Sequence, residues 1–118
     1  LITEALDRGE LVCFLGDRYV NEDKLIEAMF MGRQVSFPSG PFLLASRMHV
    51  PVLFYFSVRE KDMTYRFSFS QAAARQGGRG DGKSILGQFT AELEHKLKAH
   101  PEQWYNYYDF WNLRKESL

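Results

Sequence analysis

The 118-residue sequence predicts an α/β (or α+β) domain, a small mostly parallel or mixed sheet flanked by helices, on three observations. Leu11 to Leu15 (LVCFL) is a short unbroken apolar run, the pattern of a strand covered on both faces. Val52 to Val58 is a second apolar run, and Tyr65, Phe67 and Phe69 alternate with Arg66 and Ser68 at the period of a half-exposed strand. Ile85, Phe89, Leu93 and Leu97 fall four apart with Leu86 beside them, which makes one apolar stripe on a helix. The order strand, helix, strand, strand, helix leads to a layered fold in which helices cover a sheet.

Each element has a local reason. Ile2 and Leu6 lie on one side of a short amphipathic helix, and Gly9 stops it. The strand at Leu11 to Leu15 ends in Gly16, Asp17 and Arg18, a polar tip at the carboxyl end of an expected buried strand. Residues 19–27 read as a polar connection. Met29 to Met31 and Gln34 to Phe37 flank Gly32 and Arg33 and can pair as a hairpin. Ser39 is a candidate N-cap and Pro41 a first-turn residue for a helix reaching about Met48, with Phe42, Leu43, Ala45 and Met48 on its apolar side. A helix between the strands at 11 and 52 fits a right-handed parallel crossover. Pro51 opens the second strand, and residues 59–63 read as a turn. Residues 71–83 are rich in Gly and Arg and read as a mobile loop. Pro101 ends the last helix. Residues 104–111 then carry six aromatic side chains in eight positions, suited to packing or to a bilayer interface. Without a repeat or a composition break, residues 1–118 read as one domain.

Composition narrows the function classes. Fifteen Lys and Arg balance fifteen Asp and Glu, so nothing marks the chain as a neutraliser of nucleic-acid phosphate. The charge is uneven: residues 1–31 carry three bases and seven acids, and residues 32–66 carry five bases and two acids. The basic middle could meet an anionic ligand, although a solvated mixed surface is the plainer reading. One cysteine makes no internal disulfide, and Cys13, inside an apolar run, reads as an inert core thiol. The longest apolar stretch, Val50 to Phe56, is far short of the ~20 residues of a membrane-crossing helix.

Several patterns could carry chemistry. Gly77 to Ser84 fits the phosphate-binding P-loop spacing, in which backbone N–H groups and one Lys face phosphates. Against it, the strand upstream alternates instead of being buried, and only 34 residues follow Ser84. A flexible loop is the plainer reading. His95 and His100 stand five apart, a poor spacing for one metal on a helix, and His49 lies near a helix C-terminus where a cation is favoured anyway. No metal site is expected. Asp17 and Arg18 are more suggestive, because polar groups at strand carboxyl ends gather ligands in α/β folds. Arg18 could hold a phosphate or carboxylate with its planar fork of donors, or simply close a turn as a surface ion pair.

The run Gly9 to Arg18 (GELVCFLGDR), then Phe37 to Ala45 (FPSGPFLLA), then Val50-Pro51-Val52, then Pro101 to Trp104 (PEQW) resembles, in order and spacing, the lysophospholipid acyltransferase superfamily, nearest its lipid A biosynthesis (lauroyl/myristoyl) branch. The resemblance covers nearly the whole chain. It implies the C-terminal part of a glycerolipid-acyltransferase-like domain that moves a fatty acyl group from an acyl carrier protein or coenzyme A thioester to a hydroxyl of a lipid acceptor. It implies no bound cofactor, no nucleic acid, and peripheral contact with the cytoplasmic side of a bacterial inner membrane. Asp17, Arg18, Gly40 and Pro51 match positions that border the acceptor, with Pro51 in the block that shapes the site wall. Where the glycerolipid branch has Phe-Pro-Glu-Gly-Thr-Arg, this chain has Phe14 to Arg18 without that Pro and Glu, which counts against a glycerol-phosphate acceptor. Family members deprotonate the acceptor with a His that an Asp five positions later orients. Here the residues five past the three histidines are Phe54, His100 and Tyr105, so this motif is not in the 118 residues and the chain by itself is expected to be inactive. The rival readings are a P-loop nucleotide-binding module and a non-catalytic interaction domain using the aromatic tail.

Overall fold

The computed structural model describes residues 1–16, 24–73 and 82–103. Its elements are α1 (Ile2–Asp7), β1 (Leu25–Phe30), β2 (Arg33–Pro38), α2 (Ser39–Met48), β3 (Leu53–Arg59), β4 (Tyr65–Gln71), α3 (Lys83–Ala99) and a 3-10 turn at Pro101–Gln103. The mixed α/β class stands. The described strands, however, do not make one parallel or mixed layer. Among the described residues there are two separate antiparallel hairpins, β1–β2 and β3–β4. Loop length explains this: connections of a few residues join antiparallel neighbours, whereas a parallel pair needs a crossover of a dozen residues or more.

The β1–β2 loop is Met31–Gly32, with φ of 53° and 78°. Two consecutive positive φ values are the signature of the tight hairpin turn whose twist matches its strands. β1 begins at Leu25, inside the stretch expected to be a polar connection. The residue preceding α2 is Pro38, and Ser39 is the first helical residue without a side-chain capping bond. The Ser39 N–H is instead satisfied by the Lys24 carbonyl at 3.0 Å, which ties α2 to the start of β1. β4 runs through Gln71 and α3 starts at Lys83, so the ordered elements reach both edges of the expected loop.

The main correction concerns Leu11 to Leu15. This run forms no strand, and Leu11 and Leu15 are 84% and 73% exposed. Cys13 is exposed as well, not a core thiol. An apolar run becomes a strand only where another strand supplies hydrogen-bond partners, and none of the described strands lies alongside it. The parallel crossover from residue 11 to residue 52 is therefore not formed.

The core is built on α3, as its stripe predicts. Ile85, Leu86, Leu93 and Leu97 are buried with Phe30, Val35, Phe37, Phe42 and Phe54. Phe89 joins the layers: its ring lies 6.4 Å from Phe37, 5.7 Å from both Phe42 and Phe54, and 6.0 Å from Phe56. The polar side of α3 anchors both hairpins. Glu94 Oε1 accepts from the Met31 N–H at 2.6 Å, Gln88 Oε1 accepts from the Ala73 N–H at 2.7 Å, and the Ser70 hydroxyl donates to Glu92.

Candidate functional site

Helix α2 turns Phe42, Ser46 and His49 to one side, at spacings of four and three residues. Phe42 and Ser46 are buried, and the helix stops at His49, which adopts the left-handed conformation with φ of 54°. The chain then runs through Val50, Pro51 and Val52 into β3. The Val52 carbonyl accepts from the Ala72 N–H at 2.9 Å, which draws the end of β4 beside the start of β3. These segments and the first turn of α3 border a half-open pocket of about 290 Å³. Ala45, Val52 and Ile85 contribute apolar wall; Ser46, His49 and Gln71 contribute polar atoms.

The chemistry of this pocket is limited and informative. Among the described residues its wall holds no carboxylate, and His49 is the one titratable side chain on it. The volume falls just below the range of ligand pockets, about 300–1,000 Å³. It suits one apolar group or a small neutral polar group. Among the described residues no group of three or more His, Cys, Asp or Glu could hold a metal ion.

The sequence-derived residues fare differently. Pro51 lines the pocket. Gly40 does not: it is exposed near the start of α2, nine residues before His49, or about 13 Å of helix rise. Asp17 and Arg18 lie outside the described residues, as does the aromatic segment 104–111. Of the P-loop pattern, Gly82, Lys83 and Ser84 are described. β4, the strand before it, belongs to an exposed antiparallel hairpin, not to a buried parallel sheet. Gly82 instead serves packing: a Cβ there would fall 2.8 Å from the Phe42 carbonyl carbon. Sequence reasoning missed Ser46 and Gln71. The available signal for Ser46 was a polar residue on the apolar side of α2, one turn past Phe42. Gln71 had no local signal, because its place depends on how β4 pairs.

The profile of the bacterial lipid A biosynthesis acyltransferase family matches residues 1–111. The chain belongs to that family. The match spans all the described elements, including α2, Pro51 and the pocket, and it supports an acyltransferase kind of function for this lipid A acyltransferase-like region. No curated protein and no solved structure matches the chain. No described helix is long and apolar enough to cross a membrane.

Proposed function

We propose that these residues form the acceptor side of an O-acyltransferase that passes a fatty acyl group from an acyl carrier protein or coenzyme A thioester to a hydroxyl of a lipid acceptor. The observation carrying this reading is the family match over residues 1–111, which includes the Pro51 pocket. In the reaction the acceptor oxygen attacks the thioester carbonyl. A C–O bond forms, the C–S bond breaks, and the sulfur leaves as the free thiol with the proton lost by the hydroxyl. A base must take that proton, and the family's His-four residues-Asp motif is not in these 118 residues. Recognition is what remains to this chain. Arg18 pairs with an anionic group of the acceptor headgroup, Asp17 and Gly40 border it, and the Pro51 pocket takes a small apolar part of the same molecule. A lipid acceptor resides in a bilayer, so the enzyme works in peripheral contact with the cytoplasmic face of a bacterial inner membrane.

The test uses the enzyme that carries this chain together with its base. Filling the pocket with Ala45→Phe is expected to raise KM for the acceptor about tenfold, the size of effect expected for a lost apolar contact, and to leave KM for the thioester unchanged. Arg18→Ala is expected to act in the same direction. Equal losses for donor and acceptor overturn the assignment, and so does robust acyl transfer by residues 1–118 alone.

A further inference from the structure

The chain at Gly16 touches the aromatic cluster through a residue that has no side chain. Phe14 and Leu15 are exposed, whereas Gly16 is half-buried. A Cβ built on Gly16 would fall 2.9 Å from Phe89 Cζ, 3.1 Å from Cε2 and 3.4 Å from Cε1, so the backbone here lies directly on the rim of that ring. Space is what makes glycine necessary at this position. Gly16 does not share the positive φ of Gly9, Gly32 and Gly82, so its backbone conformation is open to other residues.

The ring beneath cannot step aside. Its centroid stands 6.4 Å from that of Phe37, 5.7 Å from those of Phe42 and Phe54, and 6.0 Å from that of Phe56. Interiors are packed at crystal density, so a clash at the rim moves the chain above it instead. Restoring an ordinary carbon contact of about 3.5 Å would lift the backbone at Gly16 by about half an ångström.

This seat stands beside the Pro51 pocket. Ile85, one turn before Phe89 on α3, lines the pocket, and so does Ser46, one turn past Phe42 on α2. Phe42 and Phe89 pack on each other. The ring that carries Gly16 is thus rooted one helical turn, about 6 Å of rise, from the pocket wall. In sequence, Gly16 leads directly into Asp17 and Arg18.

We propose that Gly16 is a positioning residue for the acceptor: by resting on Phe89 with no side chain between, it fixes where the chain sets out toward Asp17 and Arg18 relative to the Pro51 pocket. This role rests on the acceptor reading above, in which Arg18 meets the headgroup and the pocket takes an apolar part of the same molecule. An acceptor held at both places is sensitive to their spacing. The thioester, which uses neither, is not.

The test uses the enzyme that carries this chain together with its base, with acceptor and thioester varied separately. A misplacement of about 1 Å costs about a hundredfold, so Gly16→Ala is expected to raise KM for the acceptor about tenfold and to leave KM for the thioester unchanged. A merely structural role would reduce the amount of active enzyme, and so kcat, with both KM values unmoved. Beside Phe89→Leu, which opens room at the rim, Gly16→Ala is expected to add less than about twofold. If Gly16→Ala does not fold, Phe89→Leu alone supplies the test, because losing the seat is expected to raise KM for the acceptor and not for the thioester. Arg18→Ala is measured alongside. An unchanged acceptor KM in Arg18→Ala overturns the acceptor reading and the role of Gly16 with it. Where Arg18→Ala does raise it, an unchanged acceptor KM in Gly16→Ala, an equal rise for both substrates, or a rise that persists in full beside Phe89→Leu overturns the role of Gly16 alone.

Discussion

Replacing Gly82 with alanine is expected to cost about 3 kcal/mol, from two sources that can be separated. Gly82 precedes α3 with φ of 85°, and its carbonyl accepts the first helical bond from the Leu86 N–H at 3.0 Å. A side chain in the left-handed region costs about 1–2 kcal/mol. The new Cβ would also fall 2.8 Å from the Phe42 carbonyl carbon and 3.0 Å from the Leu43 nitrogen. Both are backbone atoms of α2 and cannot rotate away, and forced overpacking costs about 1–3 kcal/mol. Gly32 is the control. Its φ is 78°, nearly the same, but nothing lies within 4 Å of its Cβ position. Gly32→Ala is therefore expected to lose only the conformational part, about 1 kcal/mol. Urea unfolding of both variants against the parent, read at constant m, gives the difference, expected to be about 2 kcal/mol. Equal losses at the two glycines refute the claim that α3 is seated against the α2 backbone at this point.

Three further outcomes follow from other contacts. A Cβ on Gly16 would meet Phe89 Cζ at 2.9 Å inside the aromatic cluster, so Gly16→Ala is expected to cost about 1–3 kcal/mol in the parent and much less alongside Phe89→Leu, as a double-mutant cycle would measure. Gln103→Ala removes both partners of the Arg59 backbone, so the Arg59 amide is expected to lose its protection against hydrogen exchange while the amides of the β3–β4 ladder keep theirs. Asp62 accepts from the Thr64 hydroxyl at 2.6 Å, and this bond, with a weaker one from the Thr64 N–H, holds its carboxyl below the ordinary range. A lowered folded value means the turn gains from the ionised form above the unfolded value and loses that gain as pH falls through the folded one. Carboxyl NMR titration is expected to show the low midpoint, and Thr64→Val to return it toward the ordinary value.

Local periodicity made most of the elements legible. The four-residue spacing from Ile85 to Leu97 identifies both α3 and the side it buries, because a helix satisfies its backbone within the segment. The Gly32 turn and the Pro41 helix start were legible for the same reason, and so was the alternation at Tyr65, Phe67 and Phe69. Within the candidate site, Pro51 could be singled out from sequence order. The pocket around it could not, since Ser46, Gln71 and Ile85 come from α2, β4 and α3.

By itself the sequence determined α2, α3, the two hairpins and their turns, and through the order of its motifs the acyltransferase family to which the chain belongs. Tertiary structure alone decided which strands pair. Leu11 to Leu15 has the composition of a buried strand, yet composition states only a need for cover and not where cover is found. Gln103 closes the edge of β3 at Arg59, forty-four residues away in sequence. Strand bonds join segments that must first arrive side by side, and that arrival depends on loop lengths and on what the Phe89 cluster draws together.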